Sequence, residues 1–162
     1  DPARIGFLGY SAGGHLAASL AFFSDKRIYT PVDAVDQLSA RPDFAVIGYA
    51  NAGAREPAPA NLETLRPSQR MRWDYKIEAT PGKTYPPTFL LHADDDPTVP
   101  GENSALIYLA LKQAKTPVEM HVFKRGGHGF GIRDTKGPNE KWPDLCADWL
   151  RELGVVKDAA AK

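Results

Sequence analysis

The segment "RIGFLGYSAGGHLAASLAFF", residues 4–23, sets an apolar run against a glycine-bracketed serine and then an Ala- and Leu-rich stretch. A short apolar run bounded by glycine reads as a strand covered on both faces, and good helix formers at compatible spacing read as a helix. Strand, tight turn and helix in that order open a crossover unit. A chain that starts one needs a parallel partner strand to receive it.

Partners follow at regular intervals. "PDFAVIGYA", residues 42–50, is a second buried-strand candidate, reached by a polar connection that predicts a short helix near Val32–Leu38. "PPTFLLHA", residues 86–93, is a third strand. "ENSALIYLALKQA", residues 102–114, repeats its apolar residues at three and four and predicts a helix. "PVEMHVFKR", residues 117–125, alternates as a fourth strand, and "EKWPDLCADWLRELG", residues 140–154, is a closing helix stopped by Gly154. Residues 51–87 read as an excursion over the strand ends, with a helical piece from Pro67 to Ile77, and the final "KDAAAK" predicts a frayed tail. The fold class is therefore α/β: four parallel strands with flanking helices.

At 162 residues the chain is long enough for a real core; a domain of that size buries roughly 68–70% of its unfolded surface. Lys plus Arg equals Asp plus Glu at 20 each, which leaves no net field to draw in nucleic acid or an anionic membrane. No run approaches the ~20 apolar residues of a membrane helix. The single cysteine, Cys146, cannot pair within the chain and sits where a small thiol packs in a helix. Small neutral or mixed substrates fit that balance better, with no nucleic acid and no membrane as partner.

In a parallel sheet, ligands bind beyond the carboxyl ends of the strands. That rule gathers the loops after Tyr10, His92 and Arg125, which carry Ser11, the run Asp94-Asp95-Asp96, and His128. Nucleophile, acid and histidine in that chain order form a hydrolytic triad on a strand–turn–helix nucleophile elbow. The glycines flanking Ser11 are expected because side chains there would collide with neighbouring backbone. The helix opening at Ala12 aims free amides and its positive end at the site, so the Ala12 N–H is one oxyanion donor. His128, flanked by glycines in "GGHGFG", is the general base. Asp96, extended by Pro97 and deepest in its loop, is the acid, and Asp94 and Asp95 read as turn-forming or solvated. A cation site built from the three aspartates is the rival reading. His15 reads as packing or capping, and His92 and His121 as strand residues. No histidine pair has metal-ligand spacing and no phosphate-cradling glycine motif is present, so neither metal nor cofactor is expected.

With "GYSAGGHLA", "HADDDPTVP" and "GGHGFG" together, the sequence resembles the α/β-hydrolases. More narrowly, it resembles the carboxylesterases and acetylxylan esterases related to bifunctional feruloyl and acetyl esterases. The resemblance implies Ser11 as nucleophile, Asp96 as acid, His128 as base and the Ala12 amide as one oxyanion donor. It also implies that residues 1–156 are the C-terminal half of that fold, followed by a tail at 157–162. The first half, with a His-Gly-Gly-type loop carrying the other oxyanion amides, is then expected upstream of Asp1. On that expectation the first strand is an exposed edge open to self-association, and the chain alone is impaired as an enzyme. A secreted or periplasmic location is open if a leader lies upstream.

The expected reaction is hydrolysis of carbohydrate acetates or small acyl esters through an acyl-serine. One alternative is a serine peptidase of the prolyl oligopeptidase type, which usually carries an aromatic residue where this chain has Ala12. The other is a non-catalytic half-domain that pairs with another chain.

Overall fold

In the computed structural model the described residues are 4–27, 29–53, 60–65, 77–133 and 137–156. Four strands, β1 (Gly6–Tyr10), β2 (Phe44–Gly48), β3 (Thr88–Ala93) and β4 (Val118–Phe123), form a sheet in sequential order. All three pairings are parallel, with Leu8 opposite Val46, Ile47 opposite Leu90, and Leu91 opposite His121. Among the described residues three α-helices cover it: α1 (Ala12–Phe23), α2 (Glu102–Gln113) and α3 (Trp142–Glu152).

Strand side chains alternate between faces, and the core divides accordingly. Ala45, Ile47 and Leu90 pack with Ala17, Ala18, Phe22, Ile107 and Leu111 of α1 and α2. Val46, Phe89 and Leu91 pack on the other face against Trp142, Cys146 and Trp149 of α3. β3 is buried along its whole length because both faces are roofed. Phe89, Leu90 and Leu91 are fully buried, each contributing about 1.5–3 kcal/mol. β1 lies at an edge of the sheet, and Ile5 (61%), Leu8 (51%) and, on α1, Leu16 (49%) are exposed.

Two boundaries differ from the sequence reading. The helix expected near Val32–Leu38 is one 3-10 turn, Val35–Gln37, because the Asp33 carboxylate accepts the N–H groups of Val35 (2.8 Å) and Asp36 (3.1 Å) and caps the turn locally. The closing helix begins at Trp142 after a 3-10 turn, Pro138–Lys141. Pro143, lacking an N–H, fits the first α-helical turn. Gly154 sits at φ 70° just past the helix end, the left-handed conformation that stops helices. Most of the helical piece expected from Pro67 to Ile77, and the tail at 157–162, fall outside the described residues.

Candidate active site

The three loops meet at the carboxyl ends of β1, β3 and β4. Ser11 stands between β1 and α1 at φ 52°, ψ −118°, a left-handed backbone that non-glycine residues seldom adopt. Two backbone bonds hold it there: the Ser11 N–H donates to Gly48 O, and the His15 N–H donates to Ser11 O, both at 3.0 Å. The turn is possible only because position 9 is glycine. A Cβ on Gly9 would stand 2.0 Å from Gly13 O.

The expectation for the other flanking glycine needs correction. A Cβ on Gly13 meets nothing within 4 Å outside its own helix. The close approach falls on Gly14 instead, where a Cβ would lie 2.7 Å from Gly48 O and 2.9 Å from Ala50 Cβ, because α1 crosses the end of β2 at that residue. Ala12 is the first residue of α1, so its N–H has no carbonyl one turn back to take it.

The Ser11 hydroxyl donates to His128 Nε2 at 2.8 Å, and His128 Nδ1–H donates to Asp96 Oδ2 at 2.8 Å. Asp96 is buried. Burial pushes its carboxyl pKa up, but the amide of Val99, the imidazole of His128 and the amide of Thr98 outweigh that and hold it below the ordinary aspartate value. The two amides, at 2.9 and 2.8 Å, both donate to Oδ1, leaving Oδ2 to the imidazole. Of the three aspartates, then, Asp96 is the one that meets His128.

Asp95 does more than face solvent. Its Oδ1 accepts the N–H groups of Gly126 and Gly127, both at 2.8 Å, and so ties the loop of Asp96 to the loop of His128. Asp95 and Asp96 thus turn to different partners rather than toward a common ion.

His92 carries a larger part than its place at a strand end suggested. Fully buried beneath the acid loop, it receives the Ser104 hydroxyl at Nδ1 (2.7 Å), and its Nε2–H donates to Val99 O (2.9 Å). Nε2 also lies 3.4 Å from Asp96 Oδ2. Burial lowers the His92 pKa despite the nearby carboxylate, so the ring stays neutral. Its partners lie 7 and 12 residues away, a spacing that carries no local signal. His15 binds Asn51 O through Nδ1 (2.8 Å), joining α1 to the loop after β2, and His121 pairs with Glu119 (2.7 Å) on β4.

Tyr49 escaped the sequence reading altogether. It follows β2 and is buried, with its ring 5.1 Å from the His128 ring. An aromatic residue at a strand's carboxyl end is too common for its position alone to single it out.

Such a site offers a hydroxyl whose proton can pass to an imidazole, a buried carboxylate to hold that imidazole, and a helix amino end to receive negative charge. Comparison with known proteins places the chain among hydrolases. The acetyl ester-xyloside bifunctional hydrolase of Caldicellulosiruptor lactoaceticus is 33% identical, with a TM-score of 0.75, over 97% of this chain and 59% of that one. Esterase 2 of Thermogutta terrifontis is 26% identical, with a TM-score of 0.73, over 98% of this chain and 59% of that one. An acetylxylan esterase of Xylanibacter ruminicola is 22% identical over the whole chain, which spans 33% of that protein. An endo-1,4-beta-xylanase B of Butyrivibrio fibrisolvens is 31% identical over 82% of this chain and 21% of its own length. The chain therefore spans a third or less of these curated relatives and about three-fifths of the two solved structures. The model of the prolyl oligopeptidase family matches residues 1–153, and with its parallel sheet and α/β-hydrolase neighbours the chain belongs to that family.

Proposed function

We propose that this chain carries the catalytic triad of a serine carboxylester hydrolase, with Ser11 as nucleophile, His128 as general base and Asp96 as the acid that orients it. The observation that carries the reading is the continuous relay from Ser11 Oγ to His128 Nε2 and from His128 Nδ1 to Asp96 Oδ2, each step 2.8 Å long. Ser11 Oγ attacks the ester carbonyl carbon as its proton passes to His128 Nε2. The carbonyl oxygen takes the negative charge, and the Ala12 N–H donates to it. Collapse expels the alcohol, which leaves with the proton from His128, and Ser11 carries the acyl group. Water then gives a proton to His128 and attacks the acyl carbon, and the acid departs as the proton returns to Ser11.

The substrate class is an acetyl or other short acyl ester on carbohydrate, supported by the names of the Caldicellulosiruptor and Xylanibacter relatives. A second oxyanion donor is needed beside Ala12 for full turnover, because loss of one such donor costs about 100- to 1000-fold. Incubation with a fluorophosphonate probe tests the nucleophile. Stoichiometric labelling of Ser11, lost in His128→Ala, is expected; no labelling, or labelling indifferent to His128, favours a non-catalytic half-domain. Hydrolysis of p-nitrophenyl acetate at full esterase rate would contradict the need for a further donor.

The peptidase reading keeps a specific observation in its favour, the family to which the chain belongs. Against it stands Ala12, where such peptidases usually carry an aromatic residue. Release of acetate from acetylated xylan without cleavage of a proline-containing peptide is the expected outcome, and the reverse would overturn the esterase assignment.

A further inference from the structure

We infer that Tyr49 is the positioning residue of the general base, its ring fixing the tilt of the His128 imidazole between Ser11 and Asp96. The inference rests on the triad reading above. Hydrogen bonds at Nε2 and Nδ1 define a line through the imidazole but leave the ring free to swing about it. Only a wall on the ring's flank stops that swing. The base loop cannot supply it, since Gly127 (φ 60°) and Gly129 (φ 80°) flank His128 and a Cβ on either would meet nothing within 4 Å.

Tyr49 supplies the wall. Its ring meets His128 edge to face at 5.1 Å and 69°, and meets Phe130, two residues on, at 4.9 Å. Its hydroxyl oxygen accepts the Gly131 N–H at 3.2 Å, so one side chain touches the base, the residue two beyond it and the backbone one further. The tyrosine is itself fixed. Tyr10, the residue before the nucleophile, stacks on it at 5.6 Å and 17°, Trp142 closes edgewise on Tyr10 at 6.0 Å, and His92 approaches at 6.5 Å. Tyr49 thus spans the nucleophile strand, the acid strand and the base loop.

Its backbone carries a further mark. Tyr49 has φ 34°, a left-handed conformation that a bulky aromatic residue seldom enters, and its N–H donates to Leu91 O at 2.8 Å. Strain of this kind persists only where the surroundings over-determine it, and it collects at functional sites. A tyrosine needed only to fill the core could sit on β2 with ordinary strand geometry.

The test is the rate of fluorophosphonate labelling of Ser11 across pH, with circular dichroism to establish folding. Tyr49→Leu is expected to slow labelling about 10- to 100-fold and to move the midpoint of the pH profile by roughly half a unit to one unit. Tyr49→Phe keeps the wall and loses only the Gly131 contact, so about a threefold loss with an unmoved midpoint is expected. A merely structural tyrosine would lower thermal stability and leave both rate per folded molecule and midpoint unchanged, which would overturn the inference. Should leucine prevent folding, Tyr49→Met, a longer and more adaptable side chain without a planar face, carries the same expectations. No labelling of the unsubstituted chain would remove the triad reading and this inference together; labelling indifferent to Tyr49 would remove this inference alone.

Discussion

The turn that carries Ser11 and the loop that carries Asp96 each deliver one group to His128, but they hold it by different means. Ser11 is placed by main chain: a left-handed φ of 52°, two backbone hydrogen bonds and the missing side chain of Gly9. Asp96 is placed by side chains: its own carboxylate takes the amides of Thr98 and Val99, and beneath it His92 links Ser104 to Val99 O. A group held by backbone responds little to pH but cannot tolerate added volume. A group held by titratable side chains tolerates volume better and is exposed to protons.

The sharpest way to break the acid side is Asp96→Asn. The amide oxygen can still accept from Thr98 and Val99, but its NH₂ cannot accept from His128. Labelling of Ser11 is expected to fall about 10⁴-fold with the fold intact, because the imidazole then loses its tautomer. On the nucleophile side, Gly9→Ala sets a Cβ 2.0 Å from Gly13 O. Backbone must shift, at a cost of about 1–3 kcal/mol in urea denaturation.

Acid separates the two regions directly. The folded-state pKa of His92 is lowered, so the unfolded chain takes up its proton first as pH falls below about 6.5. Stability is therefore present above that pH and declines below it, by up to about 1.4 kcal/mol per pH unit. His92→Asn, which cannot titrate, should flatten this slope in thermal melts below about pH 6.5. Asp96, also lowered, adds its own loss only below about pH 3.8. The smallest effect belongs to Gly13→Ala, which meets no neighbour within 4 Å outside its helix. Removing that glycine is expected to stabilise the chain by about 0.5–1 kcal/mol in the same denaturation assay, opposite in sign to Gly9→Ala.

The strands were legible because a parallel sheet buries both faces: "PPTFLLHA" and "PDFAVIGYA" have no other economical place, and β3 is buried throughout. The elbow was legible for a related reason. Gly9, Ser11 and the helix beginning at Ala12 are neighbours in sequence as well as in space. Asp96 and His128 could be chosen because the topological rule places their loops at the same end of the sheet. Gly13 misled because the motif marks two glycines while the crossing geometry of α1 over β2 decides which of Gly13 and Gly14 is crowded.

By itself, then, the sequence determined what is local: among the described residues the four strands and three α-helices, and with them the elbow and the chain order of serine, aspartate and histidine. Tertiary structure decided what depends on distant residues meeting. It brought Asp96 against His128, turned Asp95 toward Gly126 and Gly127, set His92 under the loop of Asp96, and stood Tyr49 against the imidazole. The physical reason is reach. Periodicity and turn chemistry act over a few residues, whereas Tyr49 and Gly131 lie 82 residues apart and Ser11 and His128 lie 117 apart, joined only once the sheet has formed.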